Sequence, residues 1–383
     1  MREYTVEAKD AGQRLNKYLH RILPAMPVSL GYRMLRKKNI TLNGKKADGS
    51  ESVKEGDKVR VFFSDETFAK FEGFPVPEGT AEDYMRAFRE IEALYGRKVC
   101  TLPSGFRESA ETGRLKGSGR DRKTDAAAGT SIMPGPVLYE DGDILIANKL
   151  PGILSQKASP GDVSMNEWLV GRCLFRREIT EESLRSYRPS VCSRLDRNTE
   201  GILICAKTLR GSRAMTKVLR ERTLHKYYRM AVKGTGLGSG MIEAYLSKDE
   251  KTNTVHLDSA PSDGASLTRT GYRTILEGPE LSLIEAELIT GKTHQLRAHF
   301  AWLGHPIAGD PKYGDPELNR IAASRFDVRR QLLIACRIVF PEMRDELPEL
   351  SGREFEISLP PVYEKIVREY RGRREERGER TVR

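Results

Sequence analysis

Nine consecutive residues, Ser193-Arg194-Leu195-Asp196-Arg197-Asn198-Thr199-Glu200-Gly201, set one carboxylate between two arginines in a polar turn, and Ile202-Leu203-Ile204-Cys205-Ala206-Lys207 continues as an apolar strand. Flanking cations favour the charged form of a carboxylate, so Asp196 reads as an anion. Strand-to-turn junctions carry reactive groups on a rigid support. An anion held there can attack a substrate atom or take a proton from it. A lone R-x-D is ordinarily a surface ion pair; nine ordered residues leading into a strand constrain the chain far more.

Two further stretches are dense in groups that act on substrates. His225-Lys226-Tyr227-Tyr228-Arg229-Met230-Ala231-Val232 has the look of a strand carrying tyrosines. Tyr228 could stack on a planar ring and offer a hydroxyl for proton transfer, although a strand tyrosine is more commonly a half-buried packing residue. Leu288-Ile289-Thr290-Gly291-Lys292-Thr293-His294-Gln295-Leu296-Arg297-Ala298-His299 is followed by Gly304-His305-Pro306-Ile307-Ala308-Gly309-Asp310 and then Tyr313-Gly314. Gly291-Lys292-Thr293 imitates the end of a phosphate-binding loop, but that motif needs glycine where Ala286 stands. His294 and His299 lie five residues apart, about 140° around a helix, so the two do not converge on a metal. Glu285 and Glu287 share a strand face and read as a solvated edge, not as the carboxylate pair of a glycosidase.

The first block resembles the signature of the RluA-type pseudouridine synthases, H-R-L-D-x-x-T-S-G before a strand ending in Ala-Lys, with Ser193 in place of the histidine and Glu200 in place of the serine. The 288–310 block is similar to that family's L-x-T-G-R-T-H-Q-I-R-x-H and G-H-P-I-x-G-D. The 225–232 stretch is similar to its K-x-Y-x-A-x-V strand. Ala147-Asn148-Lys149-Leu150-Pro151-Gly152 resembles V-N-K-P-x-G, with the proline one position later. The resemblance implies that Asp196 is the catalytic aspartate, Tyr228 the active-site tyrosine and Arg297 the arginine that pairs with Asp196. It further implies substrate contacts from Arg194, Lys149, Thr199, His294 and Gln295. The implied reaction cuts the bond between a uridine base and its ribose, turns the base and rejoins it through carbon. Nothing is oxidised and no group is imported, so no cofactor and no metal are expected. Two other classes remain open at this point: an RNA-binding or ribosome-assembly factor that kept the fold without the chemistry, and a hydrolase that releases free base.

The elements that must position these groups follow from the wider chain. At 383 residues with a net charge of +11, it is long enough for two domains and basic enough for a polyanionic partner. Residues 1–60 hold 14 Lys/Arg against 7 Asp/Glu. Leu15, Tyr18, Leu19 and Ile22, then Leu30, Met34 and Leu35, recur at helical spacing. Strands are expected at 40–42 and 59–63, with Asn43-Gly44 as a turn. The order of elements, with G-x-R-L-x-x-Y-L at 12–19, is similar to the RNA-binding domain shared by a small-subunit ribosomal protein and tyrosyl-tRNA synthetases. Arg14, Lys17, Arg33, Arg36, Lys37, Lys38 and Lys45 are its candidate RNA contacts.

The expected organisation is an RNA-binding domain at 1–64, a linker at 65–133 with one helix at 80–96, a catalytic domain at 134–366 and a basic tail at 367–383. Irregular alternation of strands and helices in the larger domain points to an α+β fold with a mixed, largely antiparallel sheet. No apolar run approaches the roughly 18–20 residues that span a bilayer. The charged N-terminus lacks an apolar signal core, and the five cysteines form no C-x-x-C pair. Those features predict a cytoplasmic, monomeric protein whose partner is RNA, with ribosomal RNA favoured over transfer RNA by the resemblance.

Overall fold

The computed structural model describes residues 1–100 and 136–376, apart from 8–9, 25, 65–66, 69–70, 72–79, 160, 186 and 250–251. The glycine- and serine-rich part of the expected linker and the end of the basic tail lie outside the described residues. The chain forms two compact units, one of Met1–Glu82 with Glu181–Ser186, the other of Asp83–Thr180 with Tyr187–Arg383.

In the first unit, helices α1 (Leu15–Ile22) and α2 (Val28–Arg36) pack on a sheet of β1 (Arg2–Thr5), β2 (Ile40–Leu42), β3 (Lys45–Lys46) and β4 (Lys58–Val61). The strand order among the described residues is β1-β4-β2-β3. Leu15, Tyr18 and Leu19 of α1 meet Leu35 of α2 and Ile40, Val59 and Val61 of the strands in one buried cluster. Asn43 and Gly44 both take positive φ, 51° and 74°, the geometry that a two-residue turn between twisted strands demands. Strand β1 had no counterpart in the sequence reading; it joins the free edge of β4, with Arg2 opposite Val61.

The second unit takes in α3 (Ala81–Cys100) from Asp83 onward, a helix that runs four residues beyond the expected stop at Gly96. Its sheet is built from β5 (Val137–Glu140), β6 (Ile144–Lys149), β7 (Ser190–Val191), β8 (Glu200–Ala206), β9 (His225–Lys233), β10 (Ser239–Asp249), β11 (Thr254–Asp258), β12 (Ser266–Leu276), β13 (Leu281–Leu288), β14 (Leu333–Val339) and β15 (Glu354–Glu356). The order is β11-β10-β12-β13-β9-β14-β8-β6-β5, with β7 on β8 and β15 on β14. Among the named strands of the described residues, β8 and β14 pair in parallel and the other pairings are antiparallel, so the fold is mixed α+β.

Strands β6 and β8 are buried on both faces, which explains their unbroken apolar runs. Leu145, Ala147, Leu203 and Cys205 face α4 (Met165–Phe175) through Trp168 and Leu169. Ile144, Ile146, Ile202 and Ile204 face α5 (Leu209–Glu221) through Ala214, Met215 and Val218. Three more α-helices of the unit follow among the described residues, α6 (Gln295–Trp302), α7 (Pro316–Phe326) and α8 (Pro361–Glu376). Gly201 fixes the β8–β14 approach: a Cβ there would lie 2.2 Å from the Ala335 carbonyl oxygen, and its φ is +118°.

The reading of Glu285 and Glu287 as a solvated edge is corrected. Strand β13 lies between β12 and β9, and Glu285 is buried against Arg229 (Nη2–Oε2 2.6 Å) and Arg273 (Nη2–Oε1 2.7 Å) from those neighbours.

Candidate active site

The turn that carries Asp196 closes on itself, Thr199 N donating to the Asp196 carbonyl at 3.0 Å, and then enters β8. Thr199 is buried, and its hydroxyl accepts a 2.8 Å bond from Gln331 Nε2. Behind the turn, the 150–155 segment acts as a template. Gly152 N donates to Arg197 O (2.8 Å), and the Ser155 hydroxyl both donates to Leu195 O (2.8 Å) and accepts from Leu195 N (2.9 Å). The backbone on either side of Asp196 is thereby fixed.

Lys149 completes that template. It is wholly buried, and its ammonium donates to the carbonyls of Leu150 (3.1 Å), Ile153 (2.8 Å) and Arg197 (3.0 Å). Burial pushes its pKa down to about 7, against the charges of Asp196 and Glu200. The side chain thus faces backbone and does not line the cleft.

Arg297 comes from α6, 101 residues further along the chain. Its Nη1 donates to Asp196 Oδ2 at 3.0 Å, while Nε and Nη2 grip Asp310 at 2.7 and 2.8 Å. Asp310 is itself buried and accepts from the backbone amides of Lys312 (2.8 Å) and Tyr313 (3.1 Å). Burial opposes both charges, but the mutual hydrogen bonds outweigh it, raising the Arg297 pKa and lowering that of Asp310. The Tyr313 ring lies 5.1 Å from the guanidinium carbon. The result is an arginine clamped by one carboxylate and presented to another.

His294 takes a left-handed conformation (φ 55°) just before α6. Its Nδ1 lies 3.0 Å from the Tyr313 hydroxyl and its Nε2 4.0 Å from Asp196 Oδ2. Burial lowers its pKa, with Asp196 opposing. His299, one turn on, points elsewhere: its Nε2 meets Thr268 Oγ1 at 2.8 Å inside the protein. Gln295 is buried too, binding Arg269 O and Thr270 Oγ1 (3.1 and 3.0 Å) while accepting from Thr290 Oγ1 and Lys292 N. It shapes the loop that precedes the helix.

Asp196, Arg194, Tyr228 and His294 line one cleft of about 680 Å³, within the range of small-molecule sites. Among the described lining residues, eight are Lys or Arg and Asp196 is the lone carboxylate. Arg222, Lys226, Lys248 and Arg337 of that basic wall come from the C-cap of α5 and from β9, β10 and β14, and no local pattern in the sequence brought them together. Burial, and then the charge of Asp196, push the Tyr228 phenol well above its ordinary pKa, so its hydroxyl keeps its proton. Of the remaining candidates, Lys149, Thr199 and Gln295 support the site from outside the cleft. In the first unit, Arg14, Lys17, Arg33, Arg36, Lys37, Lys38 and Lys45 are all exposed.

Comparison with known families assigns residues 143–302 to the RNA pseudouridylate synthases and residues 13–59 to the S4 domain. The larger unit thus carries a region that matches the RNA pseudouridylate synthases, with an S4 domain before it in the sequence, and the chain is an isomerase. It is 29% identical over 356 residues to "Ribosomal large subunit pseudouridine synthase C" of Vibrio cholerae, covering 91% of this chain and 90% of that one. The protein of the same name from Escherichia coli K12 is 27% identical over 367 residues, covering 91% and 92%. "Ribosomal large subunit pseudouridine synthase D" of Borreliella burgdorferi is 33% identical over 199 residues, 50% of this chain and 59% of that one.

Proposed function

We propose that this protein isomerises specific uridines of large-subunit ribosomal RNA in the cytoplasm, with Asp196 as its reacting group and without a cofactor. The observation that carries the reading is a single carboxylate in a cation-lined cleft, held by an arginine that a second, buried carboxylate orients. The reaction breaks the bond from uracil N1 to ribose C1′ and forms one from C5 to C1′, the C5 proton then passing to the N1 side of the turned base. A fixed anion beside C1′ and the base is what such a step needs, together with a pocket that confines the detached ring. Tyr228 provides a face for the base and a protonated hydroxyl beside it. The basic wall suits phosphates on either side of an extruded nucleotide. The names of the long-range relatives support ribosomal RNA as the substrate.

Incubation of the full chain with unmodified large-subunit ribosomal RNA tests this reading. Isomerised uridine is the expected product. Unchanged RNA would leave only a binding protein, and free uracil would mark a hydrolase. Mapping pseudouridines in ribosomal RNA from cells with and without the protein then identifies the position.

A further inference from the structure

Helix α3 precedes the region matched to the synthase family, yet it is built into the catalytic unit. Its backbone touches α4 at Gly171, where a Cβ would lie 2.1 Å from the Tyr84 carbonyl oxygen. Phe88 stacks on Phe175 with ring centroids 5.0 Å apart, and Trp168 Nε1 donates to Glu92 Oε1 at 2.9 Å. Ile91 and Tyr95 join the core that contains Leu145, Ala147 and Leu203. A helix docked along about three turns in this way can hold a side chain in a fixed place.

That side chain is Tyr95. Its hydroxyl donates to the Asn148 carbonyl and accepts from Leu150 N at 3.1 Å, spanning Lys149 from both sides. Lys149 in turn bonds the carbonyls of Ile153 and Arg197, and Gly152 N bonds Arg197 O. A continuous set of hydrogen bonds therefore runs from α3 through the 148–155 segment to the residues flanking Asp196. The motif that this segment resembles has proline at the position of Leu150, and proline has no N–H to donate. Here the shifted proline leaves an amide free, and the Tyr95 hydroxyl satisfies it.

We propose that Tyr95 is a positioning residue for the synthase reaction, and that α3 serves to hold the template loop from which Asp196 is presented. The inference rests on Asp196 being the reacting group. Tyr95→Phe keeps the ring in the core and removes both hydrogen bonds, leaving the half-buried Leu150 N–H without the Tyr95 partner. In the full-length enzyme kcat should fall about tenfold. KM for RNA should stay within about twofold, because the cleft wall is untouched. Amide exchange should quicken in 148–155 and 193–199 and remain unchanged in α4. Adding Leu150→Pro to Tyr95→Phe removes the orphaned donor, and should restore part of the lost kcat and protection.

An unaltered kcat with only a lower melting temperature would make Tyr95 a packing residue and overturn the proposal. So would faster exchange confined to α3. If the wild-type enzyme forms no pseudouridine, the functional reading fails by itself, and exchange at 193–199 in the Tyr95→Phe protein still decides whether the helix holds the loop.

Discussion

Arg297 binds Asp310 through two of its nitrogens, at 2.7 and 2.8 Å, and so has one terminal nitrogen left to meet Asp196 at 3.0 Å. The bidentate grip fixes the plane of the guanidinium, and with it the direction from which Asp196 is held. Asp310 is fixed in its turn by the amides of Lys312 and Tyr313. Orientation therefore passes from the 310–313 turn to the reacting carboxylate through one rigid side chain.

Arg297→Met should strand Asp310 as a buried, unpaired charge. Breaking one side of such a pair costs about 3–5 kcal/mol, so the variant should lose stability of that order along with its activity. Arg297→Lys should fold better but remain slow, because a point charge cannot serve both carboxylates with fixed geometry. Denaturant melts and initial rates check both. An Arg297→Met protein with unchanged midpoint and turnover would show that the triad carries no weight.

His299 gives a pH signature. Thr268 Oγ1 donates to Ala244 O, so it accepts from His299 Nε2–H, while the buried Nδ1 has no hydrogen-bond partner and carries no proton. Burial lowers its pKa to about 4, well under the ordinary value near 6.5. The unfolded chain binds the proton at the higher pH, so this contribution is complete above pH 6.5 and is lost as pH falls towards 4. Between pH 7 and 5 the wild type should lose about 2 kcal/mol more stability than His299→Gln. Parallel curves for the two proteins would contradict the buried neutral assignment.

The basic face of the S4 domain should act through phosphates. Replacing Arg33, Arg36, Lys37 and Lys38 by glutamine should weaken binding to structured RNA and flatten its salt dependence. The log–log slope should fall by roughly 0.7–0.9 for each phosphate that these side chains neutralise. The midpoint of unfolding should hardly move, since all four side chains are exposed. An unchanged slope would mean that this face is merely solvated.

Much of the site was legible because its residues sit in short, dense blocks. Asp196 and Arg297 were both singled out although 101 residues separate them. The small domain was readable from helical spacing at Leu15 to Leu35 and from the Asn43-Gly44 turn. What was not legible depends on partners distant in sequence. Asp310 stood within a recognised block, but nothing local says that it grips Arg297. Glu285 alternates like a solvent-facing residue, and only the arginines of β9 and β12 turn that face inward. Strands β10 and β12 carry exposed Glu243 and Arg269 beside buried Ala244 and Thr268, a weak apolar signal. The opposite difficulty affects β14, a short apolar run that periodicity cannot tell from a buried helix segment. Helix α3 passes its apparent glycine stop because Gly96 is an interior residue and Tyr95 is anchored in the core.

The most direct test is the rate of tritium release from C5-labelled uridine in ribosomal RNA by Asp196→Asn protein. Asparagine preserves the side chain's shape and can still accept from Arg297, but it removes the charge. The account predicts that isomerisation disappears while RNA affinity and melting temperature stay close to wild type. A rate near that of the wild-type enzyme would contradict the assignment of Asp196 as the reacting group.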